Sequence, residues 1–334
     1  MFLRDDLLSA SPFASPITLR LLFRHMQQAQ HYKSSSSRDT QAIAGVRLRT
    51  GCGGFVQCSL IIITLVLGGV SATAQSRWQA PMPLEAANTP ADEYAPAWCF
   101  PERRLVFTQE RKKRARLMSM QNPSSTDATV PIQEITIPDL PPTAQVSYAS
   151  WSAAGDMLYC AFRSTGKGRV INVMERSFVN SVWGPSRFVA ECASDDFNGQ
   201  VTISPDGSTM VFASDRDGGV GKLDLWMCKK SGSVWDSPVH MGELLNSAEN
   251  EITPFLASSD TLYFAGDGFG GRGGYDVYRT VLVSGEWQSP VPMDVCNTPF
   301  DDSDFCVLPD GTAVFASTRP GGKGGLDLYW CKKK

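Results

Sequence analysis

Histidine is almost missing. The 334 residues carry three, and beyond residue 74 only His240 remains. One imidazole builds no His-rich metal site, and any Ser-His-Asp chemistry would rest on that single position, so His240 reads as a packing residue. No Cys-x-x-Cys or Cys/His pair has metal-ligand spacing. An excess of positive charge is lacking too: Lys+Arg 31 against Asp+Glu 34 leaves −3, which excludes the cationic footprint of a nucleic-acid binder. No amphipathic helical pattern stands out after Gln75. The longest apolar stretch, Phe55 to Val70, is short and Gly/Ser-bounded for a membrane span.

That stretch has another reading. Arg47 and Arg49 precede an apolar core, Leu60 to Leu67, and Ala72-Thr73-Ala74 follows it. These are the charged, apolar and small-x-small parts of a secretory signal peptide. Cleavage is expected after Ala74. Residues 1–74 are then an N-terminal extension plus leader, and 75–334 a single exported domain with no stable membrane span. Its destination is the periplasm, the outer membrane or the exterior. No lipobox is present, because Cys58 precedes the apolar core. With the seven basic and three acidic residues of the leader removed, 24 Lys+Arg face 31 Asp+Glu, a net charge of about −7. Seven cysteines remain, an odd number that leaves at least one unpaired.

The exported part is periodic. Trp183, Trp235 and Trp287 are spaced 52 and 52, and open the similar phrases WGPSRFV, WDSPVHM and WQSPVPM. Upstream of them, Leu223-Asp224-Leu225-Trp226, Tyr275-Asp276-Val277-Tyr278 and Leu326-Asp327-Leu328-Tyr329 recur at 52 and 51. Further upstream stand MVFAS, LYFAG and AVFAS, with LYCAF at Leu158 to Phe162 as an older copy. Two of these follow a Pro-Asp-Gly turn, at Pro205 and Pro309. Each unit therefore has four short β-type segments separated by turns, the pattern of four-stranded antiparallel sheets repeated around a ring. The first unit is more degenerate, with strands expected at Glu93 to Trp98, Arg104 to Thr108, Leu117 to Met120 and Ile132 to Ile137. Ahead of it, Trp78 to Pro83 is a fourth-strand phrase with no sheet before it, and the chain stops after a third strand. The two fragments complete one another, so the N-terminal strand is expected to close the last blade of a five-bladed, all-β propeller.

The string Ser-Pro-Asp-Gly, Phe-Ala-Ser-x-Arg, a Gly-rich turn, Leu-Asp-Leu-Trp/Tyr, Trp-x-x-Pro and Asn-Ser/Thr-x-x-x-Asp/Glu resembles the WD40-like Pro-Asp (TolB-like) β-propeller repeat of exported bacterial, Bacteroidetes-type proteins. The last element occurs at Asn88 to Glu93, Asn246 to Glu251 and Asn297 to Asp302. The resemblance covers the exported part, most closely in its last three units. It implies a cell-envelope propeller, usually non-enzymatic, that binds a protein or a glycan or acts as a scaffold. TolB itself adds a second domain and binds the peptidoglycan-associated lipoprotein, and other relatives add a peptidoglycan-binding domain. Neither addition is found in this sequence, so a stand-alone propeller is expected.

Candidate site residues follow from the repeat. Glu93, Glu251 and Asp302 stand where one blade crosses to the next, and are expected near the mouth of the central channel. Asp224, Asp276 and Asp327 recur on third strands, which points to a structural bond to a neighbouring turn. The Gly-rich turns lead from strand to strand, not into a helix, which excludes a P-loop and with it nucleotide binding. Aspartates beside them (Asp215, Asp217, Asp267) offer oxygens for calcium, but without EF-hand spacing, so no cofactor is assigned. In the first blade the matching hairpin is basic, with Arg111, Lys112, Lys113 and Arg114 as contacts for an anionic envelope partner. Arg216 and Arg319 are equivalent residues on the same expected binding face. Two alternatives stay open. One is a propeller glycoside hydrolase or lyase using channel carboxylates; the other is a structural subunit of an envelope assembly. The cysteines recur at repeat positions (Cys192 with Cys296, Cys228 with Cys331), and are expected to be mostly buried free thiols.

Overall fold

The computed structural model describes residues 78–121, 130–141, 143–165, 168–194 and 197–334. The expected leader and its cleavage site lie outside these residues. Among those described, no helix is long and apolar enough to cross a membrane.

Five antiparallel sheets form the five blades of a β-propeller. Blade 1 consists of Asp92–Cys99, Arg104–Arg111, Arg114–Met120 and Ile132–Glu134. Blade 2 consists of Gln145–Trp151, Met157–Thr165, Gly168–Arg176 and Arg187–Phe188. Blade 3 runs Asn198–Ile203, Thr209–Ser214, Asp224–Ser231 and Val239–His240; blade 4 runs Glu251–Ser258, Thr261–Gly266, Asp276–Val283 and Val291–Pro292. Blade 5 takes Asp302–Val307, Ala313–Ser317 and Asp327–Cys331 from the C-terminal end, and Met82–Pro83 from the other end. Met82 pairs with Trp330 and Pro83 with Tyr329, as Val291 and Pro292 pair with Arg279 and Tyr278 one blade earlier. The expected closure by the N-terminal strand is therefore present. One detail differs from the sequence reading. In blades 3 and 4 the repeated Trp sits in an additional two-residue return strand, Val234–Trp235 and Glu286–Trp287, ahead of the fourth strand.

The core lies between blades. One apolar cluster joins blades 5 and 1 (Phe107, Leu105, Val314, Trp330), another joins blades 3 and 4 (Val211, Leu225, Phe264, Tyr278), and the remaining interfaces are packed alike. The second strands supply an equivalent aromatic in every blade: Phe107, Tyr159, Phe212, Phe264 and Phe315, all essentially inaccessible. Each such burial stabilises the fold by about 1.5–3 kcal/mol. Cys99, Cys192, Cys228, Cys296, Cys306 and Cys331 are buried and free, and serve as small hydrophobes. The Sγ atoms of Cys192 and Cys228, at non-equivalent repeat positions, are 3.9 Å apart.

Two repeated devices bind blades 3, 4 and 5 to the blade that follows each. Asp224 accepts the N–H groups of Val220 and Gly221, Asp276 those of Arg272 and Gly273, and Asp327 those of Lys323 and Gly324. The recurring aspartates are thus structural, as expected. The folded-over hairpin then presses on the crossing into the next blade. A Cβ on Gly324 would lie 1.8 Å from the carbonyl oxygen of Ala91, so only glycine lets the two backbones meet. The crossing carries the second device. The Asn88 side chain both accepts from Leu328 N–H (2.8 Å) and donates to its carbonyl (3.0 Å), and Asn246 and Asn297 do the same to Leu225 and Val277.

Gly324→Ala is expected to destabilise the protein by about 1–3 kcal/mol in chemical denaturation, through overpacking at the ring closure. Gly285→Asn is the control. Gly285 has φ +85° with open space around it, a conformation that asparagine tolerates, so the change stays within about 0.5 kcal/mol.

Candidate functional site

The three crossing acids are buried, which corrects their expected openness to a ligand at the channel mouth. Glu93, Glu251 and Asp302 are each 0% exposed. Each closes a turn on the Ser or Thr four residues earlier, because that spacing brings the carboxylate back over the hydroxyl and the N–H. Glu93 accepts from Thr89 N (3.0 Å), Thr89 Oγ1 (2.6 Å) and Gln109 Nε2 (2.9 Å). Glu251 accepts from Ser247 N and Oγ, and Asp302 from Thr298 N and Oγ1. Asn198 fills the same position in blade 3, donating to Ser194. Burial pushes the Glu93 carboxyl upward, and pushes Glu251 up to about 7 against the opposing pull of its Ser247 bonds.

Arg216 and Arg319 also turn inward. Arg319 binds Ser317 Oγ, the Cys296 carbonyl and Asp302 (2.7 Å), and lies over the rings of Phe315 and Tyr329. Arg216 makes the corresponding contacts to Ser214, Cys192 and Asn198, over Phe212 and Trp226. In blade 4 the arginine is replaced by Gly268, and Phe269 packs on Phe264 and Tyr278 instead. His240 accepts from Gly242 N–H, contacts Asn246 and meets the Trp226 ring edge-on. Asp215 and Asp267 are engaged by the Phe197 and Asn250 N–H groups, and no cluster of three metal-ligating side chains occurs among the described residues. The basic hairpin is the part of the expected face that points outward. Lys112 and Lys113, with φ of 53° and 60°, form a two-residue turn of the mirror-image type, and Arg111 to Arg114 are all exposed.

The channel itself is ringed by residues that the sequence reading did not single out. Ala95, Tyr148, Gln200, Thr253 and Asp304 occupy one equivalent position on the five inner strands. All are left-handed, with φ between 48° and 55°, at a bulge in each strand. That conformation is costly for a non-glycine residue, above all for Thr253. The surrounding ring holds it, because the side chains reach from blade to blade. Ala95 N–H donates to Asp304, Asp304 N–H to Thr253, Thr253 N–H to Gln200, and Gln200 Nε2 to Tyr148 Oη. Beside the ring, a cavity of about 270 Å³ extends along the inner strands to the Pro205 and Pro309 turns. It is mainly apolar, with Trp98, Trp151, Phe255 and Phe305 in its wall. Trp151 is 5% exposed and its Nε1 has no partner. Asp304 is the one carboxylate among the residues lining the cavity. Burial raises it to about 6, against the lowering effect of Ser303 Oγ and Ala95 N–H. The five ring residues share no side-chain type, so only register, with steps of 51 to 53 residues, could have found them.

No protein-family model matches the sequence, and no curated protein matches it. Among solved structures the chain is similar to an endo-arabinase from Bacteroides thetaiotaomicron (TM-score 0.50, 12% identity, 77% of this chain and 98% of that one). It is also similar to TolB from Acinetobacter baumannii (TM-score 0.43, 14% identity, 73% of this chain) and to an α-L-arabinofuranosidase from Lactobacillus brevis (TM-score 0.49, 12% identity, 75% and 94%). The chain spans 55% of the TolB chain. At 12% identity the likeness to the endo-arabinase bears on the fold alone.

The buried acids predict a pH dependence. A carboxyl whose folded value lies above its unfolded one destabilises the fold when ionised, and that loss is recovered as pH falls through the folded value. Wild type is therefore expected to gain stability relative to Glu251→Gln as pH is lowered from about 8 to about 5, most steeply between about 5 and about 6.5, below the folded value and above the unfolded one, as measured by denaturant titration at each pH.

Proposed function

We propose that the chain is an exported, non-catalytic β-propeller of the bacterial cell envelope that binds a protein or glycan partner through its channel. One observation carries the reading. The acids repeated around the ring are consumed by turns and hairpins, and among the described residues lining the cavity Asp304 is the one carboxylate. Glycoside hydrolysis of the usual kind requires two, roughly 5–9.5 Å apart across the bond to be cut. The cavity supplies aromatic surface, an unpartnered indole N–H and a few polar groups, which suits binding. Its volume is just below the roughly 300–1,000 Å³ of ligand pockets. The export half of the proposal rests on the leader pattern ahead of Gln75.

The hydrolase alternative has Asp304 in its favour: an unrepeated, buried carboxyl raised to about 6 has the character of a general acid. The endo-arabinase is a solved structure of similar fold. Incubation with arabinan and with peptidoglycan fragments separates the two. The binding reading expects a raised melting temperature with no release of reducing sugar, and a smaller rise in Trp151→Ala. Sugar release that is lost in Asp304→Asn would overturn it.

A further inference from the structure

Blade 1 breaks the rule that binds its siblings to their neighbours. By strand register, Arg116 occupies the place of Asp224: Gln109 pairs with Arg116 as Ser214 pairs with Asp224. The capping carboxylate is thus replaced by a cation. Arg116 reaches Glu134 (3.0 Å) on its own blade's fourth strand and the Ala144 carbonyl (3.0 Å) on the crossing into blade 2. The long glycine hairpin is replaced by the two-residue turn between Arg111 and Arg114. In blades 3, 4 and 5 the hairpin folds over onto the next crossing, as where Lys222 N–H bonds the Glu249 carbonyl. In blade 1 the two-residue turn is too short to fold over, and among the described residues a cleft of about 1010 Å³ lies between it and the crossing into blade 2. Arg111, Lys112, Arg114 and Arg116 line it, with Ile135 and Leu140 among its apolar residues. Its one lining carboxylate, Glu134, is held by Arg116. Arg111, Lys112 and Lys113 make no ion pair among the described residues, on a chain whose net charge is −3.

We propose that this cleft, in the slot where sibling blades seat their own hairpin, binds an acidic peptide segment of a partner protein, with carboxylates on Arg111 and Lys112 and apolar side chains on Ile135 and Leu140. The occupant is a peptide because the equivalent slot holds a peptide in three sibling blades. It is acidic because the carboxylate that siblings supply is here exchanged for cations. The site is separate from the channel, and the proposal does not depend on what the channel holds.

Fluorescence anisotropy on the full chain tests it, using a labelled peptide of alternating leucine and aspartate or glutamate. Its amide counterpart, with asparagine and glutamine, and phosphatidylglycerol vesicles serve as the other probes. Binding of the acidic peptide is expected, weakened about tenfold or more in the amide peptide and in Arg111→Glu/Lys112→Glu. Leu140→Asp is expected to weaken it also, while Asp304→Asn leaves it unchanged. The exposed hairpin variants should keep the wild-type melting temperature, which separates lost binding from lost folding. Absence of acidic-peptide binding, binding that survives reversal of the hairpin charges, or charge-dependent capture by the vesicles in place of the peptide would overturn the proposal.

Discussion

An aspartate at the start of a third strand gathers the N–H groups of its own glycine hairpin and turns that hairpin down onto the next blade. Much else follows from this bond. The hairpin backbone comes so near the following crossing that a side chain at Gly324 would overlap the Ala91 carbonyl. The crossing, fixed from above by the hairpin, is fixed from beside by an asparagine that mimics a strand edge. Beneath it a buried carboxylate satisfies the turn, because a polar turn pressed between blades has no water to bond. Asp327 and Asn88 apply the device across the junction of the two chain ends, so the ring closes with the same interactions that join its interior blades.

Repetition also explains where function is to be sought. A residue held in several blades by the same internal contacts is bound to the scaffold, and Glu93, Glu251, Asp302, Arg216 and Arg319 are of this kind. The departures are what distinguish this propeller. At the inner-strand bulge the conformation is constant while the side chain changes from blade to blade, so the channel acquires one acid, one phenol and one amide on an invariant frame. In blade 1 the hairpin lock is absent and its charge is reversed, which leaves a cationic cleft in place of a packed contact.

Much of this architecture was legible because its causes are local or periodic. The tryptophans, the Pro-Asp-Gly turns and the Leu-Asp-Leu phrases recur at nearly constant spacing, and the orphan phrase at Trp78 announced the shared blade. The role of Asp224, Asp276 and Asp327 was readable for the same reason, since their partners lie three and four residues away. The exposure of Arg319 was not readable. Its guanidinium turns toward a carboxylate 17 residues away and a carbonyl 23 residues away, and lies over two aromatic rings. The left-handed ring was hidden too, because alanine, tyrosine, glutamine, threonine and aspartate carry no common preference for positive φ.

The sequence by itself determined the number of blades, their strand order and the way the ends meet, because each is set by a repeat period and by turn chemistry within it. The tertiary structure alone decided which polar groups face the channel and which are spent inside the blades. That choice depends on contacts between strands about fifty residues apart, such as Ala95 with Asp304 and Thr253 with Gln200. It also decided that the basic hairpin borders an open cleft, since the missing lock shows as empty space only once the neighbouring blade is in place.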